Sequence, residues 1–342
     1  MTKQIAVIGA GTAGSEAARQ LISLGYSVTL FEKENSIGGH VRQWHKLFPD
    51  RKNASEVVDA LFMEPSDQLT VKYDTEITSV KKESANFLLT ASDETIMSAD
   101  VVLLATGFDL FDAYKKEEYG YGIYDNVITS ADLEDLFNSG KSLSERFGHK
   151  PQRVGFVHCV GSRDEKAGNI YCSKVCCVTA VKQAMEVKEL FPDAEVFCFY
   201  MDLRMFGRYY EEMYKEAQEK HHLQFIRGRL SEASENREGK VVIKVEDTLL
   251  GKPLKLTVDL LVLMTGMVSS QRTLQIRDSL GLAKVEDNFL KPTDSHLHSN
   301  NSEIPGVFYA GCCTGPKNIS DTLADARSAV LAMHQYLKDR EF

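Results

Sequence analysis

Apolar and polar positions along this chain fall into blocks with two different periods. The first 40 residues open on an apolar run, turn through glycines into a stretch with Ala and Leu recurring on one helical face, and go on to the strand Val28 to Phe31, which closes on Glu32. That pattern predicts strand, helix, strand, a βαβ unit. From Leu69 to Ala105 short β-rich runs alternate and end in SADVVLLATG. Residues 111–150 are rich in charge, Tyr and Gly, and predict a connector with one helix around Ser130 to Phe137. At Arg153 the pattern restarts with the strand RVGFVHCV, a long loop, an amphipathic helix from about Val178 to Leu190 and the strand AEVFCFY. The closing TVDLLVLMTG echoes SADVVLLATG, and the last 40 residues predict one strand, a Gly-rich turn and a helix capped by Asn318 or Ser320.

Strand, loop, helix, strand and closing Thr-Gly thus occur twice. This internal repeat predicts an α/β fold of two related Rossmann-type dinucleotide-binding domains, the second inserted in the first. The expected boundaries are 1–110 with 265–342 for a discontinuous first domain, 111–150 for the connector and 151–264 for the second domain.

The first turn carries Gly9-x-Gly11-x-x-Gly14 between a strand and a helix. Gly9 allows the tight turn, Gly11 leaves the backbone open to pyrophosphate, Gly14 lets helix and strand pack closely, and the helix N-terminus faces the phosphate charge. Glu32, at the end of the second strand, is placed to accept hydrogen bonds from ribose hydroxyls. The equivalent turn of the second unit has no such fingerprint. It reads CVGSRDEKAGNIYCSKVCC instead, residues 159–177, with four of the seven cysteines at the spacing C-x12-C-x3-C-C. Thiols at a helix start are favoured as thiolates by the amide dipoles there. An iron-sulfur cluster fits four such thiolates at irregular spacing. Redox-active thiols, zinc and plain core cysteines remain open on the residues alone. Cys198, in an alternating strand, reads as core, and Cys312-Cys313 as small buried residues in a tight turn.

Composition narrows the picture. The net charge of -9 comes with no basic block, so nucleic acid and anionic membranes are poor partners. No signal-peptide pattern opens the chain and no apolar run is long enough to span a bilayer, so a cytoplasmic protein is expected. Clustered cysteines in a reducing compartment bind metal or cycle electrons more often than they form structural disulfides.

With Gly38-Gly39, the ATG at Ala105–Gly107 and the turn VFYAG, the chain resembles the two-dinucleotide flavoprotein (thioredoxin-reductase-like) superfamily. The resemblance implies FAD at the N-terminal site, held by Gly9, Gly11, Ala13, Gly14, Glu32, Lys33, Gly38, Gly39, His40, Ile77, Thr106, Gly107, Gly311, Cys312 and Ile319. One departure stands out: Cys312 follows Gly311 where the superfamily places Asp. The motifs CVGSRD, YCSKVCC, KQA, YMDLR, ATGFDLFD and YGYG further resemble the flavin-bearing A subunit of heterodisulfide reductases. That resemblance implies a [4Fe-4S] cluster on Cys159, Cys172, Cys176 and Cys177. It also implies a Lys182 that approaches flavin N5; the bland alternative is a solvated helix lysine.

The ferredoxin-type C-x2-C-x2-C-x3-C-P inserts of the methanogen subunit do not occur, so one cluster per chain is expected. The compact form resembles the A subunit of the heterodisulfide-reductase-like complex of sulfur oxidisers. That implies a cytoplasmic homodimer working with B- and C-type subunits and lipoate-binding proteins. Separately, a flavin facing the positive end of the last helix is expected to hold a stable semiquinone and so not to bifurcate electrons. The A subunit of the quinone-linked complex of sulfate reducers, a stand-alone NAD(P)H-dependent disulfide reductase and a zinc-bearing FAD scaffold are the rival expectations.

Overall fold

The run QIAVI buries both faces. Ile5 and Val7 pack with the helices on one side of the strand Gln4–Ile8, and Ala6 and Ile8 pack on the other. A strand covered on both sides belongs inside a parallel sheet. In the computed structural model, which describes residues 3–140 and 143–339, this strand is the centre of five. The order is Val307–Tyr309, Val101–Leu104, Gln4–Ile8, Ser27–Phe31, Leu69–Lys72, with every neighbour parallel. Positions 1–2 and 340–342 of the expected first domain, and 141–142 of the expected connector, lie outside the described residues.

On one side of this sheet lie the helices Thr12–Ser23 and Ile319–Lys338, whose alanines (Ala13, Ala17, Ala18, Ala326, Ala329) keep the packing close. On the other side an antiparallel meander, Ile77–Glu83, Asn86–Ala91 and Ile96–Ala99, lays Val80, Phe87 and Leu89 over Ala6, Val102 and Leu104. Side chains of this size, fully buried, each contribute about 1.5–3 kcal/mol.

The second unit repeats the scheme. Its parallel sheet runs Gln224–Arg227, Glu195–Tyr200, Arg153–Val160, Leu260–Thr265, Val127–Thr129. The helix Cys176–Leu190 covers one face, burying Val178, Val181, Ala184 and Met185 in a core with Val154, Phe156, Cys198 and Val262. A meander, Leu230–Glu235, Val241–Asp247 and Lys252–Val258, belongs to this unit as well. The internal repeat read from the sequence is therefore a repeat of topology: two Rossmann-type domains, the second inserted in the first.

The two compact units comprise residues 1–42, 55–109 and 268–342, and residues 43–54 and 110–267. Two segments therefore differ from the expected layout. Residues 111–150 are part of the second unit, because Val127–Thr129 pairs in register with Leu261–Leu263 and the helix Ser130–Asn138, closed by a Thr129/Asp132 capping box, follows directly. Residues 43–54, a polar stretch with no periodicity, also belong there. The Asn138 side chain donates to the Gln43 carbonyl at 2.7 Å, and the His45 amide donates to Glu134 at 2.7 Å. Among the described residues no helix is long and apolar enough to cross a membrane.

Candidate functional site

In the first unit the glycine turn does what its spacing implies. Gly9 has φ +100°, and a Cβ there would lie 2.4 Å from the Ala105 carbonyl oxygen; at Gly14 it would lie 1.8 Å from the Gly9 oxygen. At Gly11 nothing stands nearer than the Gly39 Cα at 4.0 Å. Two glycines thus serve packing and the third faces open space, as a backbone cradle for pyrophosphate requires. The helix Thr12–Ser23 begins there with no side-chain cap, so its first amides are free for an anion.

Gly38 and Gly39, both at positive φ, run beside the turn: the Gly38 amide donates to the Ala10 carbonyl at 2.8 Å. Glu32 is buried, its Oε2 accepting from the Ala10 amide at 2.8 Å and its Oε1 from the Glu34 amide at 3.1 Å. The carboxylate therefore braces the loop, and each oxygen keeps a further lone pair for a hydroxyl donor. His40 stacks on Phe108 with centroids 4.4 Å apart and hydrogen-bonds its carbonyl. Thr106 shares a hydroxyl hydrogen bond of 2.6 Å with Thr273, and Gly107 adopts φ +68° beside open space. Lys33 is exposed next to Glu34, and Ile77 is buried in the apolar core under the meander, paired with Ala91.

The closing turn Gly311–Thr314 packs against the glycine loop, since a Cβ at Gly311 would come within 2.7 Å of the Ala13 Cβ. No Asp follows Gly311, yet a carboxylate is present. Asp325, nearly two turns into the last helix, accepts the Gly311 amide at 2.7 Å and the Asn300 side chain at 2.9 Å. Its place 14 residues downstream hid it from a motif reading. Lys317 donates to the Gly311 carbonyl at 2.9 Å, and Asn318 caps the helix that begins at Ile319. Cys312 and Cys313 are buried in this turn; burial pushes the Cys313 thiol up to about 12 and raises Cys312 as well.

In the second unit the strand Arg153–Val160 breaks register between Val157 and Val160, and Cys159 sits in the break at φ +60°. A bulge of this kind re-aims a side chain, and left-handed backbone at a non-glycine residue is strain that functional sites tend to hold. The long loop that follows is tightly knit. Asp164 and Asn169 exchange backbone hydrogen bonds of 2.8 and 3.1 Å, Asn169 donates to the Gly161 carbonyl at 2.9 Å, and Ser162 donates to the Tyr171 carbonyl at 3.0 Å. Buried Asp164 is clamped by Lys116 at 2.8 Å and Arg229 at 2.9 Å. Gly266, the last residue of the echoed Thr-Gly, leaves room for Ser162 and Ser173, either of which a Cβ would meet at 2.8 Å.

This loop ends at the helix Cys176–Leu190, which starts with both vicinal cysteines in its first turn and no side-chain cap. Cys159, Cys176 and Cys177 lie in one buried cluster, so three of the four thiols come together. Its neighbours Cys159 and Cys177 raise the Cys176 pKa well above the ordinary thiol value, while Cys176 in turn lowers Cys159 and lowers Cys177 to about 4. Cys172 is partly exposed and its Sγ accepts the Lys174 amide at 3.3 Å; the Arg163 guanidinium lies in the field of Cys159 and Cys172, with one buried Nη1 unpartnered. Buried His158 makes no hydrogen bond of good geometry from either ring nitrogen. Burial opposes its protonation, but the Cys177 and Cys198 sulfurs beside it outweigh that and push it up to about 10.

As the side chains stand, no group of three or more His, Cys, Asp or Glu among the described residues is arranged around a common metal position. The donor set nevertheless fits an iron-sulfur group: four thiols on one bulge, one loop and one helix start, with an amide donating to sulfur and a cation beside them. It also fits thiol redox chemistry.

Lys182 is not a solvated helix lysine. It is 1% exposed, ion-paired to Glu134, 3.1 Å from Glu186, and donates to the Lys46 carbonyl at 3.0 Å.

Comparison with known proteins adds a family. Residues 3–140 match the pyridine nucleotide-disulphide oxidoreductase model. The A-type subunit of the H(2):CoB-CoM heterodisulfide,ferredoxin reductase of Methanothermobacter thermautotrophicus is 42% identical over 69% of this chain and 37% of its own length. The A-type iron-sulfur subunit of the CoB--CoM heterodisulfide reductase of Methanocaldococcus jannaschii is 33% identical over 97% of this chain and 64% of its own. The chain thus spans between about a third and two thirds of these relatives. Among solved structures, T. acidophilum thioredoxin reductase superposes with a TM-score of 0.67 at 18% identity, covering 97% of this chain and 98% of that one. The Lactococcus lactis thioredoxin reductase gives 0.67 at 15%, covering 99% and 100%. At such identities the likeness speaks for the fold.

Proposed function

The chain belongs to the family of heterodisulfide reductase A-type subunits, which are oxidoreductases, and from that premise we propose that it transfers electrons with FAD in its first unit and one [4Fe-4S] cluster in its second. One observation carries the reading: where the first unit turns from strand to helix through a glycine cradle, the second turns through thiols. A site rebuilt in this way has no backbone cradle for a second dinucleotide, and its soft donors suit iron. When bound, a flavin exchanges electrons singly or in pairs, and a cluster passes them one at a time.

The chain's own residues then have defined tasks. Gly9, Gly11 and Gly14 form the phosphate cradle, and Ala13 packs beside the closing turn. Gly38, Gly39, Glu32 and Asp325 fix the two loops around the cradle. Cys159, Cys172, Cys176 and Cys177 are the cluster ligands; Asp164 and Gly266 hold the loop that carries Cys172.

The finer reading follows the compact A-type protein of the heterodisulfide-reductase-like complex of sulfur oxidisers. There a homodimer in the cytoplasm hands electrons to B- and C-type subunits and works with lipoate-binding proteins. Seven cysteines support it, since four ligands leave three over, with Cys198 buried in a strand of the same unit and Cys312 and Cys313 buried in the closing turn of the first. The quinone-linked complex of sulfate reducers is the rival within the same class.

Iron, acid-labile sulfide and flavin analysis of anaerobically purified protein tests the proposal. About four iron and four sulfide per FAD are expected for one cluster; iron-free protein with flavin overturns the cluster. A second reading, a redox dithiol at the same place, is favoured by the burial of Cys159, Cys176 and Cys177 in one cluster and the lowered pKa of Cys177. Iron-free protein that loses two titratable thiols on oxidation would select it.

A further inference from the structure

Behind the cysteines, on the same helix, lies a buried group of charges that cluster binding does not need. Glu134 is satisfied: it accepts from Lys182, from the Gln183 amide at 2.7 Å and from the His45 backbone amide at 2.7 Å. Glu186 is different. It is 4% exposed and neither carboxyl oxygen has a hydrogen-bond partner of good geometry, although Lys182 Nζ lies 3.1 Å from Oε2 and His45 Nδ1 lies 3.4 Å from Oε1. His45 is one-third exposed, with its Nδ1 buried against Glu186. A buried, under-bonded carboxyl therefore sits between an inner lysine and an imidazole that reaches solvent.

We propose that Glu186 is a proton-binding site, reached from water through His45, that loads when the chain takes up an electron and unloads when the electron leaves. The inference rests on the electron-transfer reading of the cysteine site. The step balances as one electron arriving from a low-potential one-electron donor and one proton passing from water by way of the imidazole to the carboxylate, which becomes the neutral acid.

The site is tuned for this task. Burial raises the Glu186 pKa to about 7; Lys182 and Lys46 oppose the rise and Glu134 adds to it. His45 is lowered by burial first, then by Lys46 and Lys182, with Glu134 opposing, so the imidazole stays neutral near pH 7 and can relay a proton without trapping it. Glu189, three residues further along the same helix, pairs with Arg51. Glu186 lies nine residues past Cys177, about 14 Å along the helix. One added negative charge at that range, at an effective dielectric near 20, strengthens proton binding about tenfold. At pH 7.5 that corresponds to uptake of about half a proton per electron.

Infrared pH titration of the cofactor-free protein is the first arm. A buried carboxylic-acid band with a midpoint near neutrality is expected, present in wild type and Glu189→Gln and lost in Glu186→Gln. Its absence from wild type, or its survival in Glu186→Gln, overturns the site. In His45→Phe the band should remain but exchange with D2O at least tenfold more slowly; unchanged exchange overturns the access route.

The second arm is an EPR redox titration of the cluster between pH 6 and 9. The midpoint potential should fall with pH in wild type and be flat in Glu186→Gln; equal slopes overturn the coupling to the electron. Because the infrared arm needs no cofactor, protein without iron sinks the electron-transfer reading while the proton site is still decided.

Discussion

Glu186 and Cys172 show how much a single side chain can report. The folded protein holds the Glu186 pKa near 7 against an ordinary 4.5, so it binds the proton more tightly than the unfolded chain does. The associated stability is fully present below about pH 4.5 and is lost as the pH rises through 7, roughly 3 kcal/mol in all. Thermal unfolding of wild type should weaken by that order between pH 4.5 and 8, and Glu186→Gln should flatten the dependence. Cys172→Ser removes a cysteine whose sulfur already accepts a backbone amide. The expected result is loss of more than half of the iron and sulfide with flavin retained, read by metal analysis and absorbance. Neither residue's environment was visible in sequence. A glutamate at a polar position of an amphipathic helix reads as surface, and only the return of residues 43–54 over that helix buries it.

Between elements, the two strand-to-helix turns make opposite demands. Gly14→Ala drives a Cβ to 1.8 Å from the Gly9 oxygen, and about 1–3 kcal/mol of destabilisation is expected in thermal melts. Gly11→Ala meets nothing nearer than the Gly39 Cα at 4.0 Å, so it should leave melting of the apo-protein nearly unchanged while weakening flavin retention at least tenfold. In the thiol turn, Asp164→Asn strips Lys116 and Arg229 of their shared carboxylate, and about 3 kcal/mol should be lost, with faster proteolysis of the loop between Cys159 and Cys172. Period and glycine spacing made the strands, the first cradle and the Asn318 cap legible. The helix starts at Cys176, within two residues of the expected Val178 and with the Cys-Cys pair at its start, as the sequence implies. The bulge at Cys159 and the Asp325 contact to Gly311 stayed hidden because both depend on register between distant strands or turns.

For the whole molecule the sequence repeat was the strongest signal, since SADVVLLATG and TVDLLVLMTG occupy the same sheet position in their two units. The edge strand was the weak one. The first unit takes it from Val307–Tyr309, late in the chain, and the second from Val127–Thr129, before its own first strand. A three-residue run inside polar sequence gives periodicity little to work on. At this scale the function divides on one measurement: with flavin bound, NADH and NADPH should leave its anaerobic spectrum unbleached. Rapid bleaching would favour the stand-alone disulfide reductase, although the raised pKa values of Cys312 and Cys313 already make that pair a poor nucleophile.

Residues 43–54 impose a rule on anyone who would divide the chain for expression. A fragment cut at 110 and 267 keeps Glu134 and Lys182 but discards the His45 amide and the Lys46 carbonyl that each of them bonds. Such a truncation would strand an interior anion and cation without their backbone anchors, so a soluble second unit calls for that dodecapeptide to be spliced back on.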